Sequence, residues 1–310
     1  MNNSVYDVII IGGGPAGLTA AIYTSREMFK VLLLDKEICG GLPAGTDLIE
    51  NYPGFSEGTN GIELMSKFKK QAQRFGTEIV EFKEVKKVEP VEGKMKVYTE
   101  EETYLGLTVI VASGSIPKKL GVPGEEKFKG RGVSYCATCD GPLYKDKDVA
   151  VIGCGNSGLQ EGEALLKYVK SITFIEFLPF INAERILQER LRKNSKTNFL
   201  LNHRLISING EDNVGSITVE DRQAGEEKEI KVSGVFVYVG FLPNSEFLEG
   251  IAELDSLGYI KTDEDMQIKV PGIYAVGDVR SKKVRQIGVA CGEATIAAIA
   301  VRDYLKTIGA

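Results

Sequence analysis

The chain carries the same glycine-rich device twice, and that repetition constrains its fold more than any other feature. Residues 5–11 are mostly apolar and rich in β-branched side chains. They run into Gly12-Gly13-Gly14-Pro15-Ala16-Gly17, after which residues 18–28 read as a helix. The next apolar run, Val31–Leu34, finishes in Asp35. Strand, G-x-G-x-x-G, helix, strand and acidic residue in that order make up a dinucleotide-binding βαβ unit. The glycines permit a tight turn, let backbone approach a pyrophosphate and let the helix pack on the strand. Phosphates belong at the helix N-terminus, where unpaired N–H groups and the dipole favour anions, and Asp35 is placed to accept from ribose hydroxyls. The pattern then recurs. Residues 149–152 lead into Gly153-Cys154-Gly155-Asn156-Ser157-Gly158, a helical stretch runs to about Lys167, and residues 172–175 end in Glu176. Asp35 lies 23 residues beyond Gly12, and Glu176 lies 23 beyond Gly153. One such motif is weak evidence, because glycine turns are common. Two copies with matching strands and matching acidic ends predict two dinucleotide-binding units, serving two dinucleotides or one beside a vestigial site.

A chain of 310 residues has room for about two domains. Between the copies, residues 61–75 read as an amphipathic helix, with Ile62, Met65 and Phe68 on one side. Residues 77–112 alternate like strands, with a hairpin around Glu92-Gly93. Residues 116–129, with Pro117 and Pro123, look like a linker, and a second boundary falls near Phe241-Leu242-Pro243-Asn244. The closing segment, residues 273–276 and then an Ala- and Ile-rich helix over 286–304, needs a home in one unit. If it returns to the first, the second unit is an insertion. The expected fold is α/β: two Rossmann-like three-layer dinucleotide-binding domains, the second inserted in the first. The boundaries are 1–117 plus 243–310, and 118–242. The charged stretch 226–231 reads as a solvated hairpin.

Composition excludes several classes of function. With 38 Lys and Arg against 43 Asp and Glu, there is no positive excess to neutralise a nucleic-acid backbone. The longest apolar runs are strand-length, well short of the ~20 residues a membrane helix needs. Met1-Asn2-Asn3-Ser4 lacks the basic region and cleavage site of a signal peptide, so a cytoplasmic location is expected. Five cysteines are too few for a secreted disulfide scaffold. Three of them, Cys39, Cys154 and Cys291, stand alone, and the glycine-rich, small-residue surroundings of Cys154 and Cys291 mark them as packing residues. Cys136 and Cys139 form a Cys-x-x-Cys. A zinc site would need a second ligand pair, yet His203 is the sole histidine, so no metal is expected and a redox dithiol is the better reading. His203 itself reads as a satisfied polar residue.

These elements together resemble the low-molecular-weight thioredoxin reductases, flavoproteins of the pyridine nucleotide-disulfide oxidoreductase class. The resemblance covers nearly the whole chain. It rests on Gly12 to Gly17, on Glu50-Asn51-Tyr52-Pro53-Gly54 and on Gly130-Arg131-Gly132-Val133-Ser134-Tyr135-Cys136-Ala137-Thr138-Cys139-Asp140-Gly141. It continues with Gly153 to Gly158, Pro243-Asn244, and Val276-Gly277-Asp278-Val279 followed by Arg285-Gln286. The Cys-Ala-Thr-Cys-Asp element just before the second nucleotide fold is the most specific of these. Other reductases of the class carry their pair near the first flavin helix, which contains no Cys here.

The resemblance implies FAD on the first domain, held by Gly12, Gly14, Pro15, Ala16, Gly17, Asp35, Gly41, Asn51 and Gly277. Asp278 would bond the ribityl chain, with Arg285 and Gln286 near the ring. It implies that reduced flavin passes two electrons to a Cys136–Cys139 disulfide, that Cys139 faces the flavin and that Cys136 attacks thioredoxin. Asp140 takes the place of the general acid, a role that needs a raised pKa; helix capping is its alternative use. A homodimer, and a second domain that rotates on its two linkers, are implied as well.

The electron-donor site departs from the family. NADPH-using members carry a His-Arg-Arg element and a further Arg at the end of the second strand of this domain. Here residues 176–182 read Glu-Phe-Leu-Pro-Phe-Ile-Asn, without a basic side chain. A carboxylate at Glu176 accepts from a free ribose 2′-hydroxyl and repels a 2′-phosphate, so Gly153, Gly155, Gly158 and Glu176 point to NADH. Two alternatives stay open. Some thioredoxin reductases take electrons from ferredoxin and lack the basic clamp as well, and a redox-inactive flavoprotein could serve as a binding module. Leu42, Ser113 and Ala294 also depart from the family pattern near the expected flavin.

Overall fold

Two short apolar strands establish the plan of the first unit. In the computed structural model β1 (Val5–Ile11) runs parallel to β2 (Val31–Leu34), with α1 (Pro15–Arg26) crossing between them. Side chains of a strand alternate between faces. Accordingly Val8, Ile10, Val31 and Leu33 enter one core together with α1, and Ile9, Ile11, Leu32 and Leu34 enter another. Both faces are covered, which is why the strands read as continuous apolar runs. The model describes residues 4–309; Met1-Asn2-Asn3, on which the leader-peptide reading partly rests, and Ala310 lie outside the described residues.

The rest of this unit builds outward from β1. Helix α2 (Gly61–Arg74) starts where the Asn60 side chain accepts from the amides of Ile62 and Glu63. Strand β3 (Glu78–Val80) follows, then a hairpin of β4 (Lys87–Val91) and β5 (Lys94–Tyr98), and then β6 (Thr103–Val111). The hairpin turns on Glu92 and Gly93, whose φ values of 51° and 75° are the left-handed pair that such a two-residue turn demands. Chain crosses between the units through β7 (Ser115–Pro117) and β16 (Phe241–Pro243), which pair with each other. Strand β17 (Ile273–Ala275) and helix α6 (Ile287–Thr307) then return to the first unit. The sheet order is β3-β2-β1-β6-β5-β4. Along one edge of β6, Thr103 to Gly106 pair antiparallel with β5 and Val109 to Val111 pair parallel with β17.

The second unit, Pro117–Phe241, repeats the scheme within an interruption of the first, so the fold is two Rossmann-like α/β units with one inserted in the other. Its elements are β8 (Val133–Ser134), α3 (Ala137–Asp140), β9 (Asp148–Ile152), α4 (Asn156–Leu165), β10 (Ser171–Glu176), α5 (Arg185–Arg192) and β11 (Thr197–Leu201). A three-stranded antiparallel sheet of β12 (His203–Gly210), β13 (Val214–Asp221) and β14 (Glu227–Lys231) follows, and then β15 (Gly234–Val237). The main sheet, β11-β10-β9-β15-β8, is wholly parallel. Val149, Val151, Phe174 and Phe236 meet the helices, while Ala150, Ile152, Ile175 and Val235 meet the antiparallel layer. Most of the charged stretch 226–231 forms the outer strand β14, exposed at every position except Ile230. His203 is satisfied as expected, its Nδ1 2.7 Å from the Leu201 carbonyl. Among the described residues no helix is long and apolar enough to cross a membrane.

Candidate active site

The two glycine loops are built alike, down to the use of their acidic residues. Gly12 has φ +106°, and a Cβ there would lie 2.3 Å from the Ala112 carbonyl oxygen; a Cβ on Gly17 would lie 1.8 Å from the Gly12 carbonyl oxygen. Only glycine admits that approach of helix to strand. Proline at the first position gives α1 a start at Pro15, three residues before the helical pattern is legible in the sequence. Asp35 closes the loop: Oδ2 accepts the Gly13 amide and Oδ1 accepts the Glu37 amide at 2.8 Å. In the second unit Gly153 has φ +100° and faces the Tyr238 carbonyl. Glu176 Oε2 accepts the Cys154 amide at 2.6 Å, and Oε1 accepts the Leu178 amide at 2.9 Å. A Cβ on Gly155 would meet nothing within 4 Å, which leaves open space over the start of α4.

Around the first loop the fold gathers residues distant in sequence. Gly41 lies against Gly14, its Cβ position 3.1 Å from the Gly14 Cα, and that of Gly277 lies 2.9 Å from the Ala16 Cβ. Asn51 donates to Gln286 at 3.1 Å. The Arg285 guanidinium rests over the Tyr259 ring, 4.2 Å from its centroid, and its Nε is buried without a hydrogen-bond partner. Burial raises the Asp278 carboxyl against the opposing pull of Lys282 and Arg285. An orphaned buried donor beside a desolvated carboxylate asks for a polar ligand. This set fits a flavin dinucleotide.

Sequence reading missed the support beneath Asp278. Glu293, 7% exposed, accepts from the Gly277 amide at 2.8 Å, from Arg280 Nη1 at 2.7 Å and from Lys282 Nζ at 3.0 Å. Lys282 also lies 3.5 Å from Asp278 Oδ1. The available signal was a lone acid among the small and apolar residues of α6, a place where an unpaired carboxylate is not tolerated. Of the residues that depart from the family pattern, Ala294 packs in the helical core, Ser113 donates to the Asn244 carbonyl at 2.6 Å, and Leu42 is exposed.

Cys136 and Cys139 form a disulfide across the single turn of α3, with Cα atoms 5.4 Å apart. Ser134 Oγ fixes Cys136, accepting its amide and donating to its carbonyl, each at 3.1 Å, and Cys136 Sγ accepts the Cys139 amide at 3.2 Å. Thr138 Oγ1, between the cysteines, is buried and unpartnered. Asp140 ends α3, and its side chain makes no capping bond to the turn that follows. The Ala137 amide donates to the Tyr238 hydroxyl at 2.9 Å. Cys39, Cys154 and Cys291 are unpaired. Burial, then Asp35 and Glu81, push the Cys39 thiol up to about 12; burial, then Glu176, raise Cys154; burial raises Cys291. Thiols so placed pack and do not attack.

Residues 177–182 carry no cation, but the fold brings one to them. Arg222 from the turn after β13 lies 3.6 Å over the Phe177 ring and donates from Nη1 to the Phe177 carbonyl at 2.9 Å. Nothing in the local sequence pairs positions 177 and 222.

Comparison with known proteins agrees with this geometry. Residues 6–294 match the family model described as pyridine nucleotide-disulphide oxidoreductase. The chain is 43% identical to thioredoxin reductase of Bacillus subtilis over 307 residues, covering 98% of this chain and 96% of that one. Among solved structures, thioredoxin reductase of Lactococcus lactis superposes with TM-score 0.95 at 38% identity, covering 97% of this chain and 99% of the other. That of T. acidophilum gives 0.94 at 38% identity, covering 98% and 99%. With a disulfide ahead of the second of two glycine loops, and with this likeness along its whole length, the chain belongs to the pyridine nucleotide-disulphide oxidoreductase family, in its low-molecular-weight thioredoxin reductase group.

Proposed function

We propose that the chain is an FAD-dependent thioredoxin-disulfide reductase whose electron donor is NADH. Bound along Gly12 to Gly17 and Asp278, FAD supplies a two-electron carrier between donor and disulfide. The observation that carries the reading is the Cys136–Cys139 disulfide, held by Ser134 beside Asp140, in a chain whose other cysteines are unpaired with raised thiols. Two electrons and two protons convert this disulfide to a dithiol. Cys136 sulfur then attacks the thioredoxin disulfide, Asp140 protonates the sulfur that leaves, and Cys139 attacks Cys136 to release reduced thioredoxin and restore the disulfide. In this reading Cys139 is the sulfur that meets the flavin, the second domain spans about 118–242, and the enzyme is a homodimer acting in the cytosol, where lone thiols persist.

NADH is the donor of choice because Glu176 is arranged as Asp35 is, each oxygen accepting one backbone amide and keeping a lone pair for a ribose hydroxyl. A 2′-phosphate would face that carboxylate. One observation favours ferredoxin instead. Asn156, the first residue of α4, exchanges hydrogen bonds with Glu184, which sets a carboxylate beside the helix start where a pyrophosphate would lie.

Anaerobic titration of the yellow protein with NADH, NADPH and reduced ferredoxin, read as bleaching of the flavin, separates these donors. Bleaching by ferredoxin alone refutes NADH. Cys136→Ser and Cys139→Ser are each expected to abolish thioredoxin turnover and to leave flavin reduction by the donor intact, and retained turnover in either refutes the dithiol. Sedimentation showing only monomer at micromolar concentration refutes the homodimer.

A further inference from the structure

We propose that Tyr238 is a positioning residue for the dithiol: its hydroxyl, set between Glu161 and the first amide of the redox turn, governs how readily Cys136–Cys139 is reduced. The inference rests on the reading of that pair as redox-active. Ala137, between the two cysteines, is 1% exposed, and its amide donates to the Tyr238 hydroxyl at 2.9 Å. Glu161 of α4 and Asp140 are the charged groups that act on that hydroxyl, Glu161 the more strongly. Burial foremost, then Glu161, raise the phenol, so it stays protonated and keeps its lone pair turned to the amide. The main chain that carries the ring is close-packed. A Cβ on Gly153 would lie 2.2 Å from the Tyr238 carbonyl oxygen, and one on Gly158 would lie 3.6 Å from the Tyr238 Cβ, so the glycine turn of the second nucleotide fold anchors this residue.

The two redox states depend on the hydroxyl to different degrees. While the disulfide closes the turn, the peptide planes between Cys136 and Cys139 are held, and the Ala137 amide has only Tyr238 to donate to. After reduction the bridge no longer holds those planes, and the amide is free to turn toward another acceptor or water. Removing the hydroxyl therefore orphans a buried donor in the oxidised state and lets the reduced state pair it again. An orphaned donor shifts an equilibrium by roughly tenfold or more. For a two-electron couple, tenfold corresponds to about 30 mV.

The test uses the full-length holoenzyme, equilibrated anaerobically in mixtures of reduced and oxidised dithiothreitol. Each reduced dithiothreitol gives two electrons and two protons to the disulfide and closes to its own cyclic disulfide. Thiols at Cys136 and Cys139 are trapped with maleimide and counted by peptide mass, and flavin absorbance is read in the same samples. Tyr238→Phe is expected to be reduced at a roughly tenfold lower ratio of reduced to oxidised dithiothreitol, with the flavin midpoint unmoved. Glu161→Gln, which keeps a polar side chain of the same size near the hydroxyl, is expected to stay within about threefold of wild type. A Tyr238→Phe dithiol within twofold of wild type overturns the proposal, as does a flavin midpoint that moves by the same factor, because general loosening would then be the cause. Should Tyr238→Phe not fold, Glu161→Ala carries the test: a shift in the same direction supports the proposal, and none overturns it. A wild-type pair that takes up no maleimide at any ratio overturns the redox-active reading itself, and this inference with it.

Discussion

Glu293→Ala removes one carboxylate and leaves two cations behind it, and the cost is expected to appear at the flavin-binding turn. The carboxylate binds the Gly277 amide, Arg280 and Lys282 at 2.8, 2.7 and 3.0 Å. The side chains of Arg280 and Lys282 are only 16% and 8% exposed, so water does not replace the lost partner. Breaking a buried pair from one side costs about 3–5 kcal/mol. Lys282 keeps Asp278 at 3.5 Å and Arg280 keeps Thr262 at 3.0 Å, which puts the expectation at the lower end, about 3 kcal/mol. At ~1.4 kcal/mol per factor of ten, that is roughly a hundredfold in local opening. Denaturant melting is a poor readout, because a chain of two units need not unfold in one step. Hydrogen exchange followed by mass spectrometry over residues 276–282 reads the turn directly, with residues 153–158 of the other unit as the control. Glu293→Ala should lose roughly a hundredfold of protection there and release FAD faster. Glu293→Gln, which keeps an acceptor but no charge, should fall between the two. A loss below threefold in the Ala variant would show that the cations find other partners and that the reasoning is wrong.

The glycine loops should separate by function under the same substitution. Gly12→Ala and Gly153→Ala each place a Cβ about 2 Å from a carbonyl oxygen at positive φ, so Gly12→Ala is expected to lose FAD, whereas Gly153→Ala stays yellow and loses reduction by NADH. Full NADH reduction by Gly153→Ala would remove the second loop from donor binding. Asp278→Asn should exchange cofactor affinity for stability. Its carboxyl is raised in the folded state, so the acid contributes stability below the ordinary carboxylate range, and that contribution is lost as pH rises through the raised value. The FAD-free Asn variant should therefore be better protected from hydrogen exchange over residues 276–282 than FAD-free wild type at pH 7, match it near pH 4 and release FAD faster; weaker protection at pH 7 would contradict the sign.

Much of the fold was legible along the chain because each nucleotide unit is local. Strand, turn, helix and acidic end lie within two dozen residues, and the glycines are forced by backbone approach distances that no other residue permits. Asp35 and Glu176 could be named from that spacing, as could the dithiol, since two cysteines three apart can bridge a single turn. The start of α1 was not legible as far as Pro15, because proline and glycine at its head hide the helical period. What the tertiary structure decided lies in pairs far apart in sequence. Asn51 meets Gln286 where a loop reaches the head of α6, and Ala137 meets Tyr238 and Phe177 meets Arg222 where separate strands end beside one another. The double use of Asp35 and Glu176 as braces for their loops follows from side-chain direction, which spacing alone does not give. Glu293 shows the reason most plainly: an acid in an apolar helix says that a partner must exist, and only the packed core says that the partners are Gly277, Arg280 and Lys282.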